Sequence, residues 1–190
     1  EGACIQPLSD AVSRMASTGI DPGDTVAIVG QGLMGLHLLQ ICKAMGAGKV
    51  IAIAPRDETL ALSQELGADF LINATNSDPV AAVLECTAGI GADIAIEAAG
   101  GNPKAGLAGT KTVFQAFDMV RDCGKVVQVG VLEAPVTLDI GRYMSRGITY
   151  IMKGVHTQKV TKYALDLAAS SGVKQPIIVN GRIDQVNDAD

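Results

Sequence analysis

Glycines stand at positions 30, 32 and 35 in the stretch DTVAIVGQGLMGLHLLQICKAMG, where the apolar run TVAIV stops and an amphipathic segment begins. The spacing is G-x-G-x-x-G, and its flanks make it a constraint on the fold: a buried strand must run directly into a helix. The three glycines answer three separate physical demands. Gly30 permits the tight turn out of the strand, Gly32 has no Cβ to collide with an approaching pyrophosphate, and Gly35 lets the helix lie close to the sheet. The first helical residues, Leu33, Met34 and Gly35, carry N–H groups with no intrahelical acceptor, which would face the phosphates with the helix dipole behind them. A dinucleotide is the favoured ligand. The pattern by itself leaves open a plain strand-to-helix turn and a loop that holds S-adenosylmethionine.

Two periodicities alternate along the rest of the chain. Short β-branched runs at TVAIVG, KVIAIA, FLIN, ADIAIEAA, KVVQVGV and ITYIMKGV predict six strands, and apolar residues at helical spacing predict helices over 8–17, 33–45, 58–66, 79–87, 112–121 and 159–170. Gly46, Gly67, Gly89, Gly124 and Gly172 stand where left-handed caps would close five of these helices. The strands are apolar on both faces, which implies a parallel sheet covered on both sides: a doubly wound α/β fold of about six strands.

Length and charge narrow the function classes. A chain of 190 residues is enough for one domain with a substantial core. Its lysines and arginines are scattered and its net charge is −5, so neither a nucleic acid nor an anionic membrane surface is an expected partner. No apolar run approaches the ~20 residues that would span a bilayer. Cys4, Cys42, Cys86 and Cys123 lie far apart with no C-x-x-C pair, which fits thiols in a reducing compartment, the cytoplasm. The chain opens on EGACIQPLSDAVSRM and stops in GRIDQVNDAD, which reads as an excised domain.

The end of the second predicted strand bears on the choice of cofactor. About 20 residues beyond the glycines an NAD site would place an acidic side chain against the ribose hydroxyls. Here the residues are Ala54, Pro55 and Arg56. Small residues leave room, and a guanidinium suits planar, bidentate recognition of a 2′-phosphate. NADP(H) is expected over NAD(H), with the alternative that Arg56 points into solvent and Asp57 takes the ribose.

Together, PGDTVAIVGQGLMGLHLLQICKAMGAGKVIAI, LGADFLIN, GADIAIEAAG and GKVVQVGV resemble the cofactor-binding domain of the medium-chain, zinc-type alcohol and polyol dehydrogenases, in order and over nearly the whole chain. The resemblance implies a linking segment and helix at 1–20, the dinucleotide-binding domain at 21–175, and a return toward a catalytic domain at 176–190. It implies that Ala98, Ala99 and Gly100 line the cofactor, that Val129, Gly130 and Val131 run beneath the nicotinamide, and that backbone near Val131 and Val155 fixes its carboxamide. Ordinary strand-end packing fits these apolar positions equally well. Glu97 differs, because a carboxylate at a buried strand end needs partners; a structural hydrogen bond is expected there rather than catalysis.

In the resembling family a zinc ion polarises the alcohol or ketone substrate, and its ligands come largely from a preceding domain. Where polyol-dehydrogenase-like members have Glu-Pro-Leu, this chain has Gln6-Pro7-Leu8, and amides bind zinc poorly. Cys4 is a weak candidate to replace it. His37 and His156 lack a second ligand at metal spacing, and no Ser or Cys sits in a hydrolase constellation. Zinc is therefore expected only outside this chain. The loop GGNPKAGLAGT is longer than the family's usual one. The strand near 148–155 is expected at one end of the sheet, where a second copy could pair to give a homodimer or homotetramer. A non-catalytic dinucleotide sensor remains a second reading, and an S-adenosylmethionine-dependent transferase a third.

Overall fold

The computed structural model describes residues 5–101, 108–152, 154 and 157–169. Helix α1 (Ile5–Thr18) leads into β1 (Thr25–Val29), followed by α2 (Leu33–Ala44), β2 (Lys49–Ala54), α3 (Asp57–Glu65), β3 (Phe70–Asn73), α4 (Pro79–Cys86) and β4 (Ala92–Glu97). The second half comprises α5 (Lys111–Met119), β5 (Val120–Gln128), α6 (Ile140–Ser145), β6 (Thr149–Ile151) and α7 (Gln158–Ala169). All strand pairs are parallel, in the order β3-β2-β1-β4-β5-β6. The expected doubly wound sheet is present, with β6 at one end.

Alternate residues of each strand feed two separate cores. Val26, Ile28, Val50, Ala52, Ile94 and Ile96 pack on one face with Leu8 and Met15 of α1, Leu38 and Leu39 of α2, Leu60 of α3 and Ala164 of α7. Ala27, Val29, Ile51, Ile53, Ala95 and Val126 face the other side, against Val83 of α4, Val113 and Phe117 of α5, and Tyr143 of α6. Each fully buried aliphatic side chain of this kind stabilises by about 1.5–3 kcal/mol relative to exposure. Phe117 anchors the second core, stacked on Tyr143 at 4.3 Å between ring centroids and tilted against Tyr150 at 5.0 Å.

Several boundaries differ from the sequence reading. The periodicity of TVFQAFDMVR carries a helix through 121, yet α5 stops at Met119. Val120 pairs with Ala92 of β4, and Arg121 reaches Asp93 through Nε at 2.6 Å, so pairing with the sheet overrides the local helical pattern. Gly124 is therefore no helix cap; it lies inside β5, next to Cys123 at φ +57° and a register shift opposite Ala92 to Ile94. Gly46, Gly67 and Gly89 do adopt the left-handed conformation beyond their helices. Helix α6 has no counterpart in the sequence reading; its six residues are too few for a period, although Asp139 caps it by accepting from the Arg142 N–H at 3.0 Å. β3 is less covered than its apolar pattern implies, with Phe70 and Leu71 more than a third exposed at the sheet edge. Gly172 and the return segment fall outside the described residues.

Candidate functional site

The strand order reverses between β1 and β4, and ligands of open parallel sheets bind outside the carboxyl ends of the strands at such a point. Gly30 lies there at φ +99°, its N–H donating to Ile53 O at 2.8 Å. A Cβ on Gly30 would come within 2.7 Å of the Ala99 backbone, so the loops after β1 and β4 touch through bare main chain. Gly35 is equally constrained: its Cβ would meet the Gly30 carbonyl oxygen at 1.9 Å, which shows how closely α2 is drawn onto the turn. Gly32 differs, because a Cβ there meets nothing within 4 Å. It occupies the N-cap of α2 without a side-chain cap, leaving the first N–H groups of the helix, from Leu33, Met34 and Gly35, with no intrahelical acceptor. That pocket of space in front of unsatisfied donors can take an anion.

Beside Gly30 opens a cleft of about 280 Å³, lined by Val29, Ile53, Ala54, Pro55, Ala74 and Ala99, with Ala108, Lys111, Thr112 and Gln115 opposite. Its walls are largely apolar, as the face of a heterocycle needs. Lys111, Thr112 and Gln115 escaped the sequence reading because they belong to the helix after the long loop. Arg56 is exposed at the N-cap of α3, and its guanidinium has no hydrogen bond or ion pair among the described residues. The alternative ribose ligand is engaged, since Asp57 Oδ1 accepts from Asn73 Nδ2 at 2.6 Å.

The loops after β4 and β5 are bound to each other. Val129 and Gly130 both donate to the Glu97 carbonyl, at 2.8 and 2.9 Å, and Gly101 donates to Val131 O at 2.7 Å. Ala98 donates to Val29 O at 2.8 Å, closing the chain of contacts back to β1. The predicted positions 30, 98–100 and 129–131 thus form one continuous rim, with Val131 exposed. Ala54, Pro55 and Arg56 continue it across β2. Val155, Cys4 and His156 lie outside the described residues, as does much of the loop 101–110.

Glu97 meets the expectation that it needs partners. It is wholly buried, and its carboxylate accepts from Ala99 N–H, Gly100 N–H, Thr112 Oγ1 and Gln128 Nε2. The Gln128 and Thr112 partners went unread, although a glutamine interrupting the apolar run KVVQVGV is a visible signal. Cys42 and His37 are both buried in α2. Burial pushes the Cys42 thiol from 9.0 up to about 12, so it stays protonated, its Sγ 3.5 Å from Met15 Sδ. Gln6 is exposed and bonded to Asp10, and no three His, Cys, Asp or Glu side chains converge as a metal site among the described residues. No helix among them is long and apolar enough to cross a membrane.

Comparison with known proteins agrees with this geometry. A family model described as zinc-binding dehydrogenase matches residues 34–170. An alcohol dehydrogenase of Geobacillus stearothermophilus is 33% identical over 171 residues, covering 90% of this chain and 47% of that protein. Among solved structures, the alcohol dehydrogenase of Thermus sp. ATN1 superposes with a TM-score of 0.73 at 32% identity, over 88% of this chain and 46% of that one. A candidate zinc-binding dehydrogenase from Sinorhizobium meliloti 1021, solved bound to NADP, gives a TM-score of 0.82 at 28% identity, over 91% and 49%. The chain spans about half the length of the relatives it matches.

Proposed function

Because the chain belongs to the zinc-binding dehydrogenase family, we propose that it is the NADP(H)-binding part of an alcohol or polyol dehydrogenase, which moves a hydride reversibly between a small alcohol and its ketone or aldehyde. The observation that carries the cofactor reading is the combination of the open space at Gly32, in front of uncapped helical N–H groups, with the unengaged Arg56 guanidinium at the end of β2. Pyrophosphate would sit on the first, a 2′-phosphate on the second, and the adenine in the cleft between Pro55 and Lys111. The bound dinucleotide would supply the hydride acceptor; the residues of this chain bind and orient it. Because the chain spans about half the length of the relatives it matches, the metal step would belong to the remainder of the enzyme, and this chain alone should bind cofactor without turnover.

A second copy pairing at β6 would cover the exposed Met144 and Met152 near that edge and give a homodimer or homotetramer. The described cysteines, Cys42, Cys86 and Cys123, are free thiols, which supports a cytoplasmic setting.

Thermal shifts with NADP⁺, NAD⁺ and S-adenosylmethionine in parallel test the reading. A native-state ligand at ~100 times its dissociation constant stabilises by about 2.7 kcal/mol. The largest shift is expected with NADP⁺, and Arg56→Gln should weaken NADP⁺ by about tenfold to a hundredfold while leaving NAD⁺ within about threefold. Stronger binding of NAD⁺ would retain the dinucleotide site and discard the role of Arg56. A shift with S-adenosylmethionine alone would overturn the dehydrogenase assignment.

A further inference from the structure

Beneath the rim lies a polar cluster, and neither Gln128 nor Glu97 lines the cleft beside Gly30. Gln128, at the last position of β5, is 8% exposed and uses both ends of its amide. Nε2 donates to Glu97 Oε2 and, at 2.7 Å, to the carbonyl of Gly130; Oε1 accepts from the Tyr150 hydroxyl at 3.0 Å. Its main-chain carbonyl accepts from Arg14 Nη1 at 2.9 Å, and the same nitrogen donates to Met152 O at 3.0 Å. One side chain therefore joins β4, β5 and β6, and Arg14 ties them to α1.

Burying a carboxylate and an amide is costly unless every group is paired, and an apolar pair would hold β4 to β5 as well. The strand ladder already does so through residue 128. The polar groups fix something the ladder does not reach: the carbonyl direction of Gly130 and the course of the chain at Met152. There is no slack between them, since a Cβ on Gly130 would fall 2.4 Å from Glu97 Oε2. In a doubly wound sheet the adenosine half of a dinucleotide lies over the β1–β3 side and the second mononucleotide half over the β4–β6 side.

We infer that Gln128, anchored by Glu97 and Tyr150, is a positioning residue that sets where the nicotinamide end of the dinucleotide rests. The inference rests on the dinucleotide reading above. Gln128 acts through the Gly130 carbonyl and the backbone of residues 129–131, and it does not touch the reacting atoms. Burial, and after it the charge of Glu97, raises the Tyr150 phenol above its ordinary 10.0, so it stays a donor to Gln128 throughout the neutral range. Glu97 itself also holds Thr112 and Ala99 on the adenine side, so its substitution would disturb both halves; apart from its bond to Glu97 Oε2, the Gln128 amide reaches only Gly130 and Tyr150, while Thr112 and Ala99 bond the other carboxylate oxygen.

The test compares a whole dinucleotide with its adenosine half, using this chain and whichever pair it binds: NADP⁺ with adenosine 2′,5′-bisphosphate, or NAD⁺ with AMP. Gln128→Leu should weaken the dinucleotide by about tenfold and the half-ligand by less than about twofold, because lost buried hydrogen bonds then act on one end only. Tyr150→Phe, which keeps the ring against Phe117, should move the same ratio in the same direction by about threefold, and it keeps the test open should the leucine variant not fold. Equal losses for both ligands, or none, would overturn the inference, since a purely structural role cannot separate the two halves. Binding of neither ligand by the unaltered chain would remove the dinucleotide site and the inference with it.

Discussion

At the scale of single residues, the three glycines of the β1–α2 turn are not equivalent, and the distances around them separate packing from recognition. An alanine at position 35 would have to displace the Gly30 carbonyl, which main chain cannot yield cheaply, whereas an alanine at position 32 enters open space at φ −75°. Gly35→Ala is expected to cost about 1–3 kcal/mol in urea denaturation, as overpacking does. Gly32→Ala should stay within about 0.5 kcal/mol of the parent. Dinucleotide affinity should fall in both. A Gly32→Ala protein that binds as well as the parent would mean that no phosphate approaches that backbone. The packing demands at Gly30 and Gly35 were legible in the sequence, because steric demand at a strand-to-helix turn is a local matter.

At the scale of elements, the start of the sheet is held by one carboxylate. Asp93 of β4 accepts from the Thr25 N–H of β1 at 2.7 Å and from Arg121 of β5 at 2.6 Å. Burial pulls its pKa up, but the Thr25 N–H and the Arg121 guanidinium together outweigh it and hold the carboxyl below 3.8. A carboxyl depressed in the folded state stabilises at every pH above its unfolded value, near 3.9, and the contribution disappears as pH falls through the lower folded value. The stability difference between the parent and Asp93→Asn should therefore be constant from pH 7 down to about 5 and shrink below about 4, measured by urea midpoints. The strands of this sheet show where sequence reading stops. β2 and β3 match their apolar runs to the residue, β2 lying between Gly48 and Pro55 and β3 following Asp69 to a polar end at Asn73. The start of β5 was not, because Met119, Val120 and Arg121 suit a helix or a strand alike, and only the partners Ala92 and Asp93, nearly 30 positions earlier, decide between them.

At the scale of the whole molecule, the site is a rim assembled from the ends of strands far apart in sequence. Its glycines could be read from local pattern, its small residues after β4 and β5 came only with the family resemblance, and Glu97 and Gln128 stand out as polar residues in apolar runs; that these two meet Tyr150 could not be read, since no spacing links residues on three different strands. The strand order that gathers them also has a consequence in time. β1 is central, yet its neighbours arrive at different moments: β2 follows almost at once, while β4 starts at Ala92. At synthesis rates of about 5–20 residues per second, the β4 side of β1 waits roughly 3–13 s with its backbone groups unpaired and its apolar side chains uncovered. A chain ended at residue 90 should therefore aggregate where the full chain stays soluble, as judged by sedimentation after refolding at equal concentration. A strand at the centre of the finished protein is, during its making, the one left longest in want of a neighbour.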